Sequence, residues 1–146
     1  MELLFCHSRS IGGLIIRTAL MSRWNHVALR LGNCVFDATL SDGVALWGVN
    51  EFHTEWRHIE SRRIEVADER PFYNFLFAQL GKPYDWQGFL GLPFRQNWAS
   101  TQRWFCSELI AAAFQHAGYP LGFPSRRVTP RDLHVLFPLE CRYVLD

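Results

Sequence analysis

Residues 25–49, NHVALRLGNCVFDATLSDGVALWGV, constrain the chain more than any other segment. Apolar residues alternate through HVALRL and CVFDATL, and the two runs are separated by Gly32-Asn33, a dipeptide that favours the tight turn of a β-hairpin. A second turn dipeptide, Asp42-Gly43, leads into another extended segment, VALWGV. Three neighbouring strands joined by short turns can hardly be parallel, because a parallel crossover needs a dozen or more residues. The centre of the fold is therefore predicted to be an antiparallel sheet.

The remaining elements fit around it. A strand is expected at Glu2–Phe5, another over the run RRIEVA, and a last one at CRYVL near the C-terminus. Ile11, Leu14, Ile15 and Ala19 have helical spacing. Pro71 to Leu80 carries Phe72, Phe75, Leu76 and Leu80 on one face, with proline in the first turn and Gly81 just beyond the end. Thr129, Pro130 and Asp132 give the start signals of a short helix. Helices flanking a run of strands predict an α+β fold, a central antiparallel sheet or half-barrel packed against helices, in one domain spanning residues 1–146. Half of the residues are apolar (49%), enough for a core without staples.

Several function classes fall away on composition. A net charge of +1 supplies no field to attract nucleic acid, and the basic pairs Arg62-Arg63 and Arg126-Arg127 read as solvated surface. No apolar run is long enough for a transmembrane segment. The start MELLFCHSRS has an acidic second residue and no basic region, unlike a secretory signal, so a cytoplasmic protein with reduced thiols is expected. Cys6, Cys34, Cys106 and Cys141 are far apart with no paired spacing, so neither a metal nor any other cofactor is expected.

Chemistry enters with the stretch RWFCSELIAAAFQHAG. Cys106, Leu109, Ile110, Ala113, Phe114 and Ala117 form one apolar helical stripe, and packing alone would account for Cys106. Its place in the first turn, however, exposes it to the positive end of the helix, which favours a thiolate and can hold an oxyanion. A thiol nucleophile needs a base. Of the six histidines, His26 is the best placed, opening a strand on the face it shares with Ala28 and Arg30. The others lie in loops, turns or polar helix faces without an evident partner. Asp37 sits mid-strand, where aspartate is disfavoured, and a hairpin would bring it towards the His26 ring to fix its tautomer.

Taken in order, WNHVALRL, VFDA, GKPYDWQG, WFCSELIAAAF and VTPRDL resemble the circularly permuted NlpC/P60 proteins. These are papain-like thiol hydrolases of the YiiX/YebB type, distantly related to the lecithin retinol acyltransferase group, in which the histidine precedes the cysteine. The resemblance runs from about Cys6 to Leu133. It implies Cys106 as nucleophile, His26 as general base and Asp37 as the group orienting the imidazole, with Thr39 on the same face as the alternative. It implies Tyr84 beside the oxyanion and leaves Glu108 a structural role. The expected reaction is cleavage of an amide or ester through a thioester, by an amidase or cysteine peptidase acting on a small peptide, such as a peptidoglycan peptide, or on a lipid. The alternatives are an inactive papain-like scaffold binding a ligand or protein, and a lipid acyltransferase. A phage-encoded enzyme released by another route would reconcile a cell-wall substrate with the lack of a signal. The apolar loop DWQGFLGLPF reads as core rather than as a lipid-facing lid.

Overall fold

The computed structural model describes residues 1–7, 22–56, 58–85, 102–125, 128–138 and 143–145. The helix expected around Ile11–Ala19, most of the DWQGFLGLPF loop, Arg126-Arg127 and Cys141 lie outside them.

The chain order is β1 (Glu2–His7), β2 (His26–Leu31), β3 (Cys34–Thr39), β4 (Gly43–Gly48), α1 (Val49–Glu55), β5 (His58–Val66), α2 (Arg70–Phe77), α3 (Cys106–His116), α4 (Pro130–Leu136) and β6 (Tyr143–Leu145). The sheet runs β4-β3-β2-β1-β5-β6. The first five strands are antiparallel to their neighbours, and the short β6 joins β5 in parallel at the edge. The expected α+β fold around an antiparallel sheet is found, open and with one parallel edge pair. The chain after β4 turns helical from Val49, the last residue of the extended segment VALWGV, a helix that no signal in the sequence announces.

Strand alternation gives the sheet two unequal faces. Leu3, Phe5, Val27, Leu29, Leu31, Phe36, Ala38 and Ile64 point to one side, where they meet Phe72 and Leu76 of α2 and Leu109, Ile110, Ala113 and Phe114 of α3. Leu4, Cys6, Ala28 and Val35 point to the other side, where Phe52 of α1 covers them with help from Trp47, Trp56 and Ile59. The large core holds the fold together. The small one, as shown below, shelters the site.

Alternation also overturns the reading of Arg62-Arg63 as a solvated pair. The two residues point to opposite faces of β5, leaving the Arg63 side chain 72% exposed and Arg62 buried. Arg62 Nε donates to the Phe137 carbonyl at 2.9 Å, and its guanidinium pairs with Glu60. Glu60 also meets His134 of α4 at 2.7 Å, so His134 has a partner that its local sequence did not reveal. This cluster ties α4 to the sheet. The helix itself starts as its sequence predicts: Thr129 Oγ1 accepts from the Asp132 N–H while Asp132 Oδ2 accepts from the Thr129 N–H, a full capping box behind Pro130.

One glycine is indispensable. At the β3–β4 turn Gly43 has φ +66°, and a Cβ there would lie 2.4 Å from the Lys82 carbonyl oxygen. That oxygen accepts from the Val44 N–H at 2.8 Å, and the Gly81 N–H donates to the Val44 carbonyl at 2.9 Å. The turn is thereby stitched to the chain that leads into Tyr84. Gly43→Ala should lower unfolding stability by about 1–3 kcal/mol, through φ strain and this collision. Urea denaturation would measure it, and an unchanged midpoint would contradict the assigned backbone.

Candidate functional site

The site gathers where α3 begins. Its N-cap is Phe105, in extended conformation, whose side chain can accept nothing from the first-turn N–H groups. The approach to the helix is pinned from two sides. Trp104 N–H donates to the Pro83 carbonyl and Asp85 N–H to the Trp104 carbonyl, both at 3.1 Å, so Tyr84 and Trp104 form a parallel bridge. Trp104 Nε1 donates to Gln79 Oε1 at 3.0 Å, and Ser107 Oγ donates to the Val128 carbonyl at 2.5 Å. The helix is more deeply sunk than its apolar stripe implies, for Ser107, Glu108 and Ala111 are buried as well. A helix start held this rigidly places the Cys106 sulfur with little freedom.

His26 opens β2 and lies opposite Cys6 of β1. The β2–β3 ladder covers only Leu29–Leu31 against Cys34–Phe36, while β3 goes on pairing with β4 as far as Thr39. His26 and Asp37 thus lie beyond the end of their shared ladder, on the same face of the two strands. In that position His26 Nε2 donates to Asp37 Oδ1 at 2.5 Å, and Asp37 Oδ1 also accepts from the Ala38 N–H at 2.7 Å. Thr39 turns instead to Asp42 and Ser41. Between the two acceptors the sequence allowed for the imidazole, the geometry selects Asp37.

The Cys106 sulfur lies near enough to the His26 ring to act on its proton affinity. Asp37 occupies Nε2, which leaves Nδ1 as the nitrogen available to the sulfur. Burial is the largest influence on the imidazole and favours its neutral form. The Asp37 carboxylate with its hydrogen bond, and the Cys106 sulfur, outweigh it and push the His26 pKa from 6.5 to about 10. His26 is consequently an imidazolium at neutral pH. Cys6, its cross-strand neighbour, stays a thiol, because burial, then Asp37 and Cys106, raise its pKa well above the usual range. Burial likewise raises Tyr84, reinforced by Cys106, Asp37, Glu108 and Asp85. Its hydroxyl keeps its proton and remains a donor. Cys106, His26, Asp37 and Tyr84, separated by up to 80 positions in the chain, are thus assembled in one place.

Trp56 is the neighbour that sequence reasoning missed. Its indole lies flat on the His26 ring, with centroids 4.6 Å apart and planes within 4°. Nothing in the local sequence marks it, because its position depends on the unforeseen turn of helix α1.

No protein-family model matches the chain, and no curated protein matches its sequence. Among solved structures it is similar to the metalloprotein yiiX from Escherichia coli O157:H7, DUF1105, with a TM-score of 0.62 at 22% identity. The likeness is one of fold. It covers 84% of this chain and 66% of the other, so the chain spans about two thirds of its neighbour's length. Among the described residues no helix is long and apolar enough to cross a membrane.

The raised His26 pKa carries a prediction. A group more basic when folded stabilises the fold fully below its unfolded pKa and loses that contribution as pH rises through its folded pKa. Stability should therefore fall between about pH 6.5 and about pH 10, by an amount on the order of a few kcal/mol. Urea unfolding across that range should show the slope, and His26→Gln should flatten it. An equal slope in both proteins would contradict the assigned protonation.

Proposed function

We propose that the protein is a cysteine-dependent hydrolase of the circularly permuted NlpC/P60 type, cleaving an amide or ester through a thioester. The observation that carries this reading is the His26 ring, bonded through Nε2 to Asp37 and made more basic by the neighbouring Cys106 sulfur at a helix start. A packing cysteine requires neither an imidazole on its sulfur nor a carboxylate behind that imidazole. The YiiX-like fold and the histidine-before-cysteine order support the same reading.

His26 holds the proton and Cys106 acts as a thiolate paired with it, which attacks the carbonyl carbon. The oxyanion is held by the N–H of Cys106 at the helix start and by the Tyr84 hydroxyl. His26 then gives its proton to the departing amine or alcohol, leaving an acyl-sulfur bond. Neutral His26 next accepts a proton from water, whose oxygen attacks the thioester and releases the acid while sulfur departs as thiolate. Asp37 keeps the ring in the tautomer and orientation both halves need. Peptide amides and lipid amides or esters are the candidate substrates.

The neighbouring yiiX protein is described as a metalloprotein. Among the described residues here, no three His, Cys, Asp or Glu side chains are grouped to hold a metal ion, and His26 Nε2 is already engaged by Asp37. The site does not fit such a centre.

A panel of p-nitrophenyl acyl esters, peptide amides and phospholipids would test the reaction. The expected outcome is turnover of at least one member with an acyl adduct on Cys106 in intact-mass spectra. Cys106→Ala and His26→Ala should each lose at least about a hundredfold in rate while keeping native circular dichroism. A folded Cys106→Ala protein that turns over at the wild-type rate would overturn the mechanism, and no adduct or turnover anywhere in the panel would favour the inactive scaffold.

A further inference from the structure

The proposed mechanism leaves Trp56 without a task, yet the geometry of the site gives it one. Helix α1 is short and buries a single side chain, Phe52. It ends at Trp56, whose N–H closes the helix on the Phe52 carbonyl at 3.2 Å and whose indole packs 6.2 Å from the Phe52 ring. From that anchor the indole covers the His26 imidazole face to face.

We infer that Trp56 is a positioning residue for His26: its indole face stabilises the imidazolium and holds the ring in the plane that aims one nitrogen at Asp37 and the other at Cys106. The inference rests on the hydrolase reading only for the use the reaction makes of that ring. Two physical effects act together. The negative face of an indole attracts a cation stacked on it, most strongly where water is excluded, and His26 is only 6% exposed. An imidazole free to rotate about its ring bond would also lose its hydrogen bond to Asp37, and a flat aromatic lid opposes that rotation. Among the described residues, the groups facing His26 are Cys6 from β1, Asp37 from β3, Cys106 from α3 and Trp56 following α1. Asp37 bonds the ring at Nε2, whereas Trp56 is stacked on the ring face.

The test is titration of the His26 ring proton by NMR in the intact protein, assigned by its loss in His26→Gln. Trp56→Leu, close in packing volume to part of the indole but without an aromatic face, should move the His26 midpoint down by about half a pH unit or more. Trp56→Phe should restore most of the wild-type value. If Trp56→Leu fails to fold, Trp56→Phe against wild type decides alone, with a smaller downward shift expected. A midpoint unchanged in the folded variants would overturn the inference. Because the titration needs no substrate, absence of hydrolysis would count against the proposed function and leave this result standing.

Discussion

The structure depends on one buried imidazole set between a carboxylate and a sulfur. The sheet supplies the carboxylate that takes His26 Nε2, and the sulfur on the ring's other side comes from helix α3. Such a group is costly to bury as a cation, and the raised basicity of the ring is the sign that its partners more than offset that cost. The surrounding fold can be understood as what is needed to bring the three side chains to one point and keep water from dissolving their contacts.

Two features of the backbone do this. The β2–β3 ladder stops after Leu29↔Phe36, and the strand ends beyond it carry His26 and Asp37. A ladder continued to the end of β2 would pair His26 with its neighbour across the hairpin rather than with a side chain two residues before it. Helix α3 reaches the site with its start fixed by Trp104, Ser107 and the Pro83–Asp85 segment, so that the sulfur arrives at the ring rather than sweeping past it. The larger core clamps α3 to the sheet, and the smaller one, through Phe52 and Trp56, closes over the imidazole from the opposite side.

What the sequence disclosed follows the range over which each signal acts. The strands of the 25–49 segment, the capped start of α4 and the apolar stripe of α3 are written in spacings and turn residues, and they appear where expected. Cys106 and His26 were legible because each starts an element, and Asp37 because a mid-strand carboxylate needs a partner. Helix α1 escaped because GVALWGVN alternates through β4 and only then turns, with no side-chain cap at Gly48 to mark the change. Trp56 escaped with it. Arg62 and His134 were misread for another reason: the contacts that hold them, Arg62 to the Phe137 carbonyl and His134 to Glu60, each span more than seventy positions, beyond the reach of any local pattern.

The most direct measurement of the central claim compares two thiols that differ in the opposite sense in access and in chemistry. Cys34 is half-buried, while Cys106 is only 1% exposed. Accessibility alone would have Cys34 react first. Under limiting iodoacetamide near neutral pH, followed by peptide mapping, the account predicts that Cys106 is alkylated ahead of Cys34 and that His26→Gln reverses the order. Alkylation of Cys34 first in the native protein, with Cys106 inert whether or not His26 is present, would contradict it.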